Sequence, residues 1–430
     1  MTYEKALEKI HSLLTFGSRP GLDRMRELLN KLENPQDRLK YIHVAGTNGK
    51  GSVCAMLSSA LVAAGYKTGL FISPYITDFR ERIQINNIPI DKETLADAVE
   101  KTFPIVLRLR DNGVIITEFE YVNALQFYIH AQAGCDIVVL ETGMGGLLDC
   151  TNVIKPPLCA VITTIGLDHT AVLGDTIELI AEQKCGIIKH GSAVVTSAQD
   201  SRAMNVIKET AGALGVPLIK SDEVELEVIS ESLRGSRVKY ESYEFNIPLA
   251  GAHQIENAKT AVAALKYLDK DGSIGVGSGC IARGFEKAVN PARLELLCED
   301  PIVLLDGAHN PNGIGALKEA IKKFLPDKKI ICVTGMLADK DIDSSIALLS
   351  GVFESVYTVP VDNPRAISAN LLTEKYKAVC KNTKPFDSPQ SAFDEALFRA
   401  KAENCTVLIC GSLYLAGELR PYMISQLKKS

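Results

Sequence analysis

Seven consecutive residues, Gly46-Thr47-Asn48-Gly49-Lys50-Gly51-Ser52, carry what a polyphosphate needs. Glycines at 46, 49 and 51 permit positive φ and close approach, so backbone N–H groups and a following helix N-terminus can converge on phosphate oxygens. Lys50 adds a point charge, and Ser52 a hydroxyl of the kind that ligates Mg2+ in phosphate loops. The common spelling places Ser or Thr directly after the lysine. Here the hydroxyl follows one position later, so the pattern is shifted, and an ordinary glycine-rich turn is the alternative. Two more stretches point the same way: "DIVVLE" ends in Glu141, and "AVITTIGLDH" ends in Asp168 and His169. Open α/β sheets bind ligands at strand carboxyl ends. Ser52, Glu141 and His169 together would form a hard oxygen-and-imidazole shell for Mg2+ bridging to phosphate. Taken singly, Glu141 reads more readily as a paired structural carboxylate than as a ligand.

These groups need a strand, loop and helix to hold them. "YIHVA", "TGLFI", "CDIVVLE", "LCAVITTI" and "SAVVTS" are near-continuous apolar runs, as in a parallel sheet covered on both faces. "SVCAMLSSALVAAGYKTG" has helical spacing, with Gly65 placed to stop the helix. From Pro217 to Pro248 the texture turns to alternation ("EVELEVIS", "RVKYES", "YEFNIP"), which predicts a small antiparallel flank. A second series, "PIVLLD", "KIICVTG", "SVYTVPV" and "CTVLICG", begins after "NPARLELLCED". The expected fold is therefore α/β: a P-loop-type wound sheet domain with an antiparallel flank over residues 1–295, then a Rossmann-like α/β domain over 296–430.

Composition narrows the partners. The 47 basic and 52 acidic residues give a net charge of −5 and no basic field, which argues against nucleic acid. No run approaches the ~18 apolar residues of a membrane span and the N-terminus has no apolar targeting core, so a cytoplasmic protein without membrane contact is expected. The 11 cysteines are dispersed, with no C-x-x-C pair, and read as buried reduced thiols.

"HVAGTNGKGS", "SPYITDFRERI", "ETGMGGLLDCTN", "TTIGLDHTAVLGDT", "EQKCGIIK", "PARLELL", "LLDGAHNPNG" and "GSLYLAGE" occur in order from about residue 40 to 418. Together they resemble the folylpolyglutamate synthase/dihydrofolate synthase family of the Mur ligase superfamily, in which the shifted loop spelling is itself a shared trait. The resemblance implies an ATP-dependent ligase that phosphorylates a folate or dihydropteroate carboxylate and lets the amine of L-glutamate attack the acyl phosphate. By motif match, Gly46 to Ser52 would hold the triphosphate, with Lys50 catalytic. Ser52, Glu141 and His169 would bind Mg2+, with K+ a further candidate cation. Lys184 of "EQKCGIIK" matches a catalytic lysine carbamylated by CO2; its alternative is a plain surface lysine. Asn257 is expected near adenine beside His253 and Gln254, Arg293 reaching the phosphates from near the hinge, and Asp306, His309 and Asn310 closing over the nucleotide, with His309 catalytic. Ser73, Asp149 and Ser412 are implied substrate contacts. Without the resemblance, "DGAHNPNG" reads as a turn with Asn310 capping a helix.

Departures from the family spelling put Leu147 in place of an arginine ("GGLLDCTN"), Tyr75 in place of a histidine ("SPYI"), Gln183 in "QKCG" and Ala292 in "PARLE". None touches Lys50, Ser52, Glu141 or His169. Rival readings are a Mur-type ligase acting on a UDP-sugar peptide, disfavoured by the roughly 40 residues before the loop, and a P-loop binding protein that ligates nothing. Family habit implies a monomer.

Overall fold

The run Tyr41–Ala45 (β1) is buried at every position, because it lies inside a sheet covered on both faces. The computed structural model describes residues 1–14 and 21–428. β1 is flanked in parallel by β5 (Ile137–Glu141) and β6 (Cys159–Ile162). Beyond β5 come β2 (Thr68–Phe71) and the short antiparallel β3 (Ile83–Ile85) and β4 (Ile88–Pro89). Beyond β6 come β7 (Ala193–Thr196) and β8 (Leu218–Lys220). The strand order is β4-β3-β2-β5-β1-β6-β7-β8.

The helix Lys50–Ala63 leaves the carboxyl end of β1, and its residues Ser52 to Leu61 are all buried. It is apolar around its circumference because the sheet and the helices Ala252–Lys270 and Ser278–Phe285 enclose it. Gly284 permits one of these contacts, since a Cβ there would lie 2.4 Å from Ala60 Cα. The expected stop is present: Gly65 takes φ +93°, and its N–H and that of Tyr66 donate to Val62 and Leu61 carbonyls.

The alternating segment forms the antiparallel strands β9 (Glu227–Ser232), β10 (Gly235–Tyr240) and β11 (Tyr243–Ile247). Its inward residues Val238, Tyr240, Phe245 and Ile247 join the core around the central helix. The second sheet runs β12-β13-β17-β14-β15-β16. Its strands are β12 (Glu295–Glu299), β13 (Ile302–Leu305), β14 (Ile330–Thr334), β15 (Ser355–Thr358), β16 (Thr383–Pro385) and β17 (Thr406–Cys410). All neighbours are parallel except the β12/β13 hairpin. This sheet starts one strand earlier than the apolar runs suggest: "ELLCE" is itself β12, an only partly buried edge strand that lacks the signature of a buried one. All 11 cysteines are free, nine of them buried. Among the described residues no helix is long and apolar enough to cross a membrane.

Candidate active site

The loop after β1 is held from below by the loop after β6. The Thr47 and Asn48 N–H groups donate to the Thr164 carbonyl (2.9 and 3.3 Å), Thr163 Oγ1 donates to Asn48 O (2.7 Å), and Thr47 Oγ1 donates to Gly166 O (3.0 Å). Side chains would break this packing. A Cβ on Gly46 would lie 1.8 Å from Thr163 Oγ1, and one on Gly49, whose φ is +89°, 2.3 Å from Asn257 Oδ1. Asn257 therefore sits directly on the loop, and it donates to Gln254 Oε1 (3.0 Å). Gly49 caps the helix, so Lys50 and Ser52 lie in its first turn, where N–H groups are free for an anion. Lys50 Nζ folds back to the Gly46 and Thr47 carbonyls (3.1 and 3.4 Å) and stands 4.0 Å from Glu141 Oε1. Ser52 Oγ is buried and accepts from Asn290 Nδ2 (3.0 Å), a residue of the segment joining the two sheets.

Glu141 ends β5, and its Oε2 accepts from the Ser73 N–H (3.1 Å). Burial pushes its carboxyl above the ordinary range, opposed by Lys50. Asp168 and His169 lie six and seven residues beyond the end of β6, so a loop and not the strand presents them. His169 takes a left-handed φ of +52°, and burial followed by Lys340 lowers its pKa, which favours a neutral ring. Among the described residues no three His, Cys, Asp or Glu side chains converge on one point. A hydroxyl, a buried carboxylate and a neutral imidazole nevertheless fit Mg2+, which keeps waters and takes phosphate oxygens to complete its shell.

Lys184 is not a surface residue. It is 4% exposed, and its Nζ donates to Gly46 O (2.8 Å) beneath the phosphate loop. Burial, reinforced by Lys50, brings the amine down to about 7. The loop after β5 docks on this helix end: Leu147 N donates to Gln183 O (2.7 Å), and Gly146 has no room for a Cβ against the Gln183 and Lys184 carbonyls. Leu147 itself is 45% exposed. Asp149 is buried and engaged by its own loop, accepting from Met144 N (2.9 Å), Thr151 N (3.0 Å) and Thr151 Oγ1 (2.5 Å). It organises the loop and presents no free carboxylate.

The second sheet brings its residues to the same seam. Asp306, buried, accepts from Leu294 N (2.6 Å) and Ala308 N (2.7 Å), and the Arg293 guanidinium packs on Gly307. His309 Nδ1 lies 2.8 Å from Gly307 O and therefore carries the proton, leaving Nε2 3.9 Å from Asp168 Oδ2; burial lowers the ring to about 4. Asn310 caps its helix by accepting from Gly313 N (2.8 Å) and also donates to Asn48 Oδ1 (3.2 Å) and Asp168 Oδ2 (3.0 Å). Ser412 is buried and caps the last helix through Tyr414 N (3.1 Å).

Sequence reasoning missed Lys340, whose Nζ donates to Asp168 Oδ1 at 2.7 Å with both side chains largely buried. Burial would raise the Asp168 carboxyl, but Lys340 outweighs it and holds the group far below its usual range. It also missed Thr163 and Asn290. No local signal marks Lys340, which pairs with a residue 172 positions away.

The chain matches the Mur ligase middle domain over residues 44–265 and the Mur ligase glutamate ligase domain over residues 292–413. It is 37% identical over 426 residues to the dihydrofolate synthase/folylpolyglutamate synthase of Bacillus subtilis, covering 97% of this chain and 98% of that one. The chain belongs to the folylpolyglutamate synthase/dihydrofolate synthase family. Among solved members, Mycobacterium tuberculosis folylpolyglutamate synthase complexed with ADP and AMPPCP superposes with a TM-score of 0.88 at 29% identity, covering 98% of this chain and 99% of that one. Escherichia coli FolC in complex with DHPP and ADP gives 0.85 at 31% identity, covering 100% and 99%. This family member is an ATP-dependent ligase, and its glycine loop after β1 lies at the seam between two α/β units.

Proposed function

We propose that the enzyme adds L-glutamate to folate, and also to dihydropteroate, through an acyl phosphate. The relatives' names and the bound ADP, AMPPCP and DHPP of the solved family members support this. The observation that carries it is the buried Lys184 amine on Gly46 O, directly under a loop whose Asn48, like Asp168, accepts from Asn310 across the seam. A carboxylate cannot expel oxide at neutral pH, whereas phosphate leaves readily. The loop N–H groups and Lys50 hold the triphosphate and stabilise the charge that spreads during transfer. Asn257 faces the adenine, Arg293 reaches the phosphates from near the hinge, and Asp306 and His309 close over the nucleotide from the second unit. Ser73, Asp149 and Ser412 belong to the substrate side, Asp149 through the loop that it shapes.

Ser52, Glu141 and His169 would hold Mg2+, which when bound neutralises phosphate charge; K+ is a further candidate at the same seam. Lys184, poised to shed its proton, would carry the carbamate. Residues 1–295 would form the nucleotide-binding domain and 296–430 the ligase domain. Closure of the two would keep water from the acyl phosphate. A cytoplasmic monomer fits this chemistry. The test measures phosphate release and product mass with tetrahydrofolate and with dihydropteroate, each with and without L-glutamate. Glutamate-dependent adducts support the reading, and ATP hydrolysis indifferent to every acceptor overturns it.

A further inference from the structure

Arg82 belongs to the "SPYITDFRERI" block, yet nothing above gives its charge a task. It ends the turn Phe79–Arg82 just before β3. Its guanidinium lies beside an edge-on pair of aromatic rings, 5.1 Å from the Tyr75 centroid and 5.7 Å from that of Phe79. One terminal nitrogen donates to Ser73 Oγ at 3.3 Å. The Nε–H is buried without any acceptor. Glu118 and Glu141 act on its charge from a distance, but Glu141 faces Lys50 at 4.0 Å. Among the described residues none forms an ion pair with Arg82. A guanidinium whose donors go unmatched in a largely desolvated place is costly unless an anion arrives.

Its position says which anion. Ser73 links it to the catalytic centre, because the Ser73 N–H holds Glu141, which in turn faces Lys50. Arg82 is thus one residue further from the phosphate loop than Glu141. Tyr414 of the second unit, two residues after Ser412, is near enough to act on its charge. The triphosphate already has the loop N–H groups and Lys50. The anion that the ligase reading leaves without a partner is a carboxylate, and a planar fork of N–H donors matches a carboxylate in two-point fashion.

We propose that Arg82, packed beside Tyr75 and Phe79, binds a substrate carboxylate beside the phosphoryl-transfer centre. The carboxylate comes either from the acid acceptor or from the incoming amino acid. This rests on the ligase reading above and adds a substrate contact to it. Tyr75, the departure from the family spelling, becomes the platform that orients the guanidinium.

Steady-state kinetics on Arg82→Ala and Arg82→Lys, varying ATP, tetrahydrofolate, dihydropteroate and L-glutamate one at a time, test this. Removing a charge-assisted two-point contact should raise the KM of one carboxylate substrate about 10- to 100-fold while the KM of ATP stays within about twofold. Arg82→Lys should recover part of the loss, as should guanidinium chloride added to Arg82→Ala. A shift confined to L-glutamate assigns the amino acid, and a shift confined to the pterin acceptors assigns the acid. Unchanged KM values for every carboxylate substrate, or a shift confined to ATP, overturn the assignment. If Arg82→Ala fails to fold, Arg82→Lys decides alone, since it keeps charge and stem but loses the planar fork. Wild-type enzyme that forms no glutamate adduct with any acceptor refutes the ligase reading, whereas normal wild-type turnover with unaffected variants refutes only the role of Arg82.

Discussion

Carbamylation of Lys184 can be worked through from its surroundings. The amine attacks CO2, an N–C bond forms, one carbonyl electron pair moves to oxygen, and a proton leaves nitrogen for solvent. Only the neutral amine reacts. With the group brought from 10.5 to about 7 by burial and by Lys50, roughly 0.9 of it is neutral at pH 8, against about 0.003 for an ordinary lysine, a gain of about 300-fold. Carbon-13 NMR of enzyme equilibrated with labelled bicarbonate at pH 8 should show one slowly exchanging carbamate resonance, absent from Lys184→Met. Activity should fall in CO2-depleted buffer and return with bicarbonate. No resonance together with CO2-independent turnover would refute the reasoning. The same shift has a stability signature. Between about pH 7 and 10.5 the unfolded chain binds more protons at this lysine than the folded one, so without CO2 the folded state gains stability as pH rises, by up to about 1.4 kcal/mol per pH unit. Denaturant titrations across that range should show the slope, and Lys184→Met should flatten it.

Gly46→Ala forces a Cβ within 1.8 Å of Thr163 Oγ1, so calorimetry should show ATP affinity reduced about tenfold or more with the fold retained; unaltered affinity would count against the loop as the nucleotide cradle. Lys340→Met strips the buried Asp168 of its cation, a loss worth up to about 3 kcal/mol, and small-angle scattering should report a wider separation of the two units, while an unchanged envelope would deny Lys340 a role in holding them together. Ser52→Ala removes the hydroxyl that Asn290 and the metal would share. Half-saturation for Mg2+ should rise about tenfold, and an unchanged Mg2+ response would remove Ser52 from the metal set.

The sequence alone was sufficient for the strand, loop and helix around Gly46, because glycine spacing and an all-apolar strand are local properties of the chain. It was sufficient too for the antiparallel flank, whose alternation directly records one buried face. Short strands escaped it: β3, β4, β8 and β16 have two or three residues each, too few to show a period. The burial of Lys184 was illegible because "EQKC" reads as a polar helix end until the loop after β5 packs on it. Lys340, Asn290 and Arg82 likewise owe their meaning to partners supplied by other parts of the chain. A residue's type is written locally, but its desolvation and the partners facing it are set by segments as far as 262 positions away. The glycine loop could therefore be read in one dimension, whereas the protonation of Lys184 beneath it and the pairing across the seam exist only once the chain has folded.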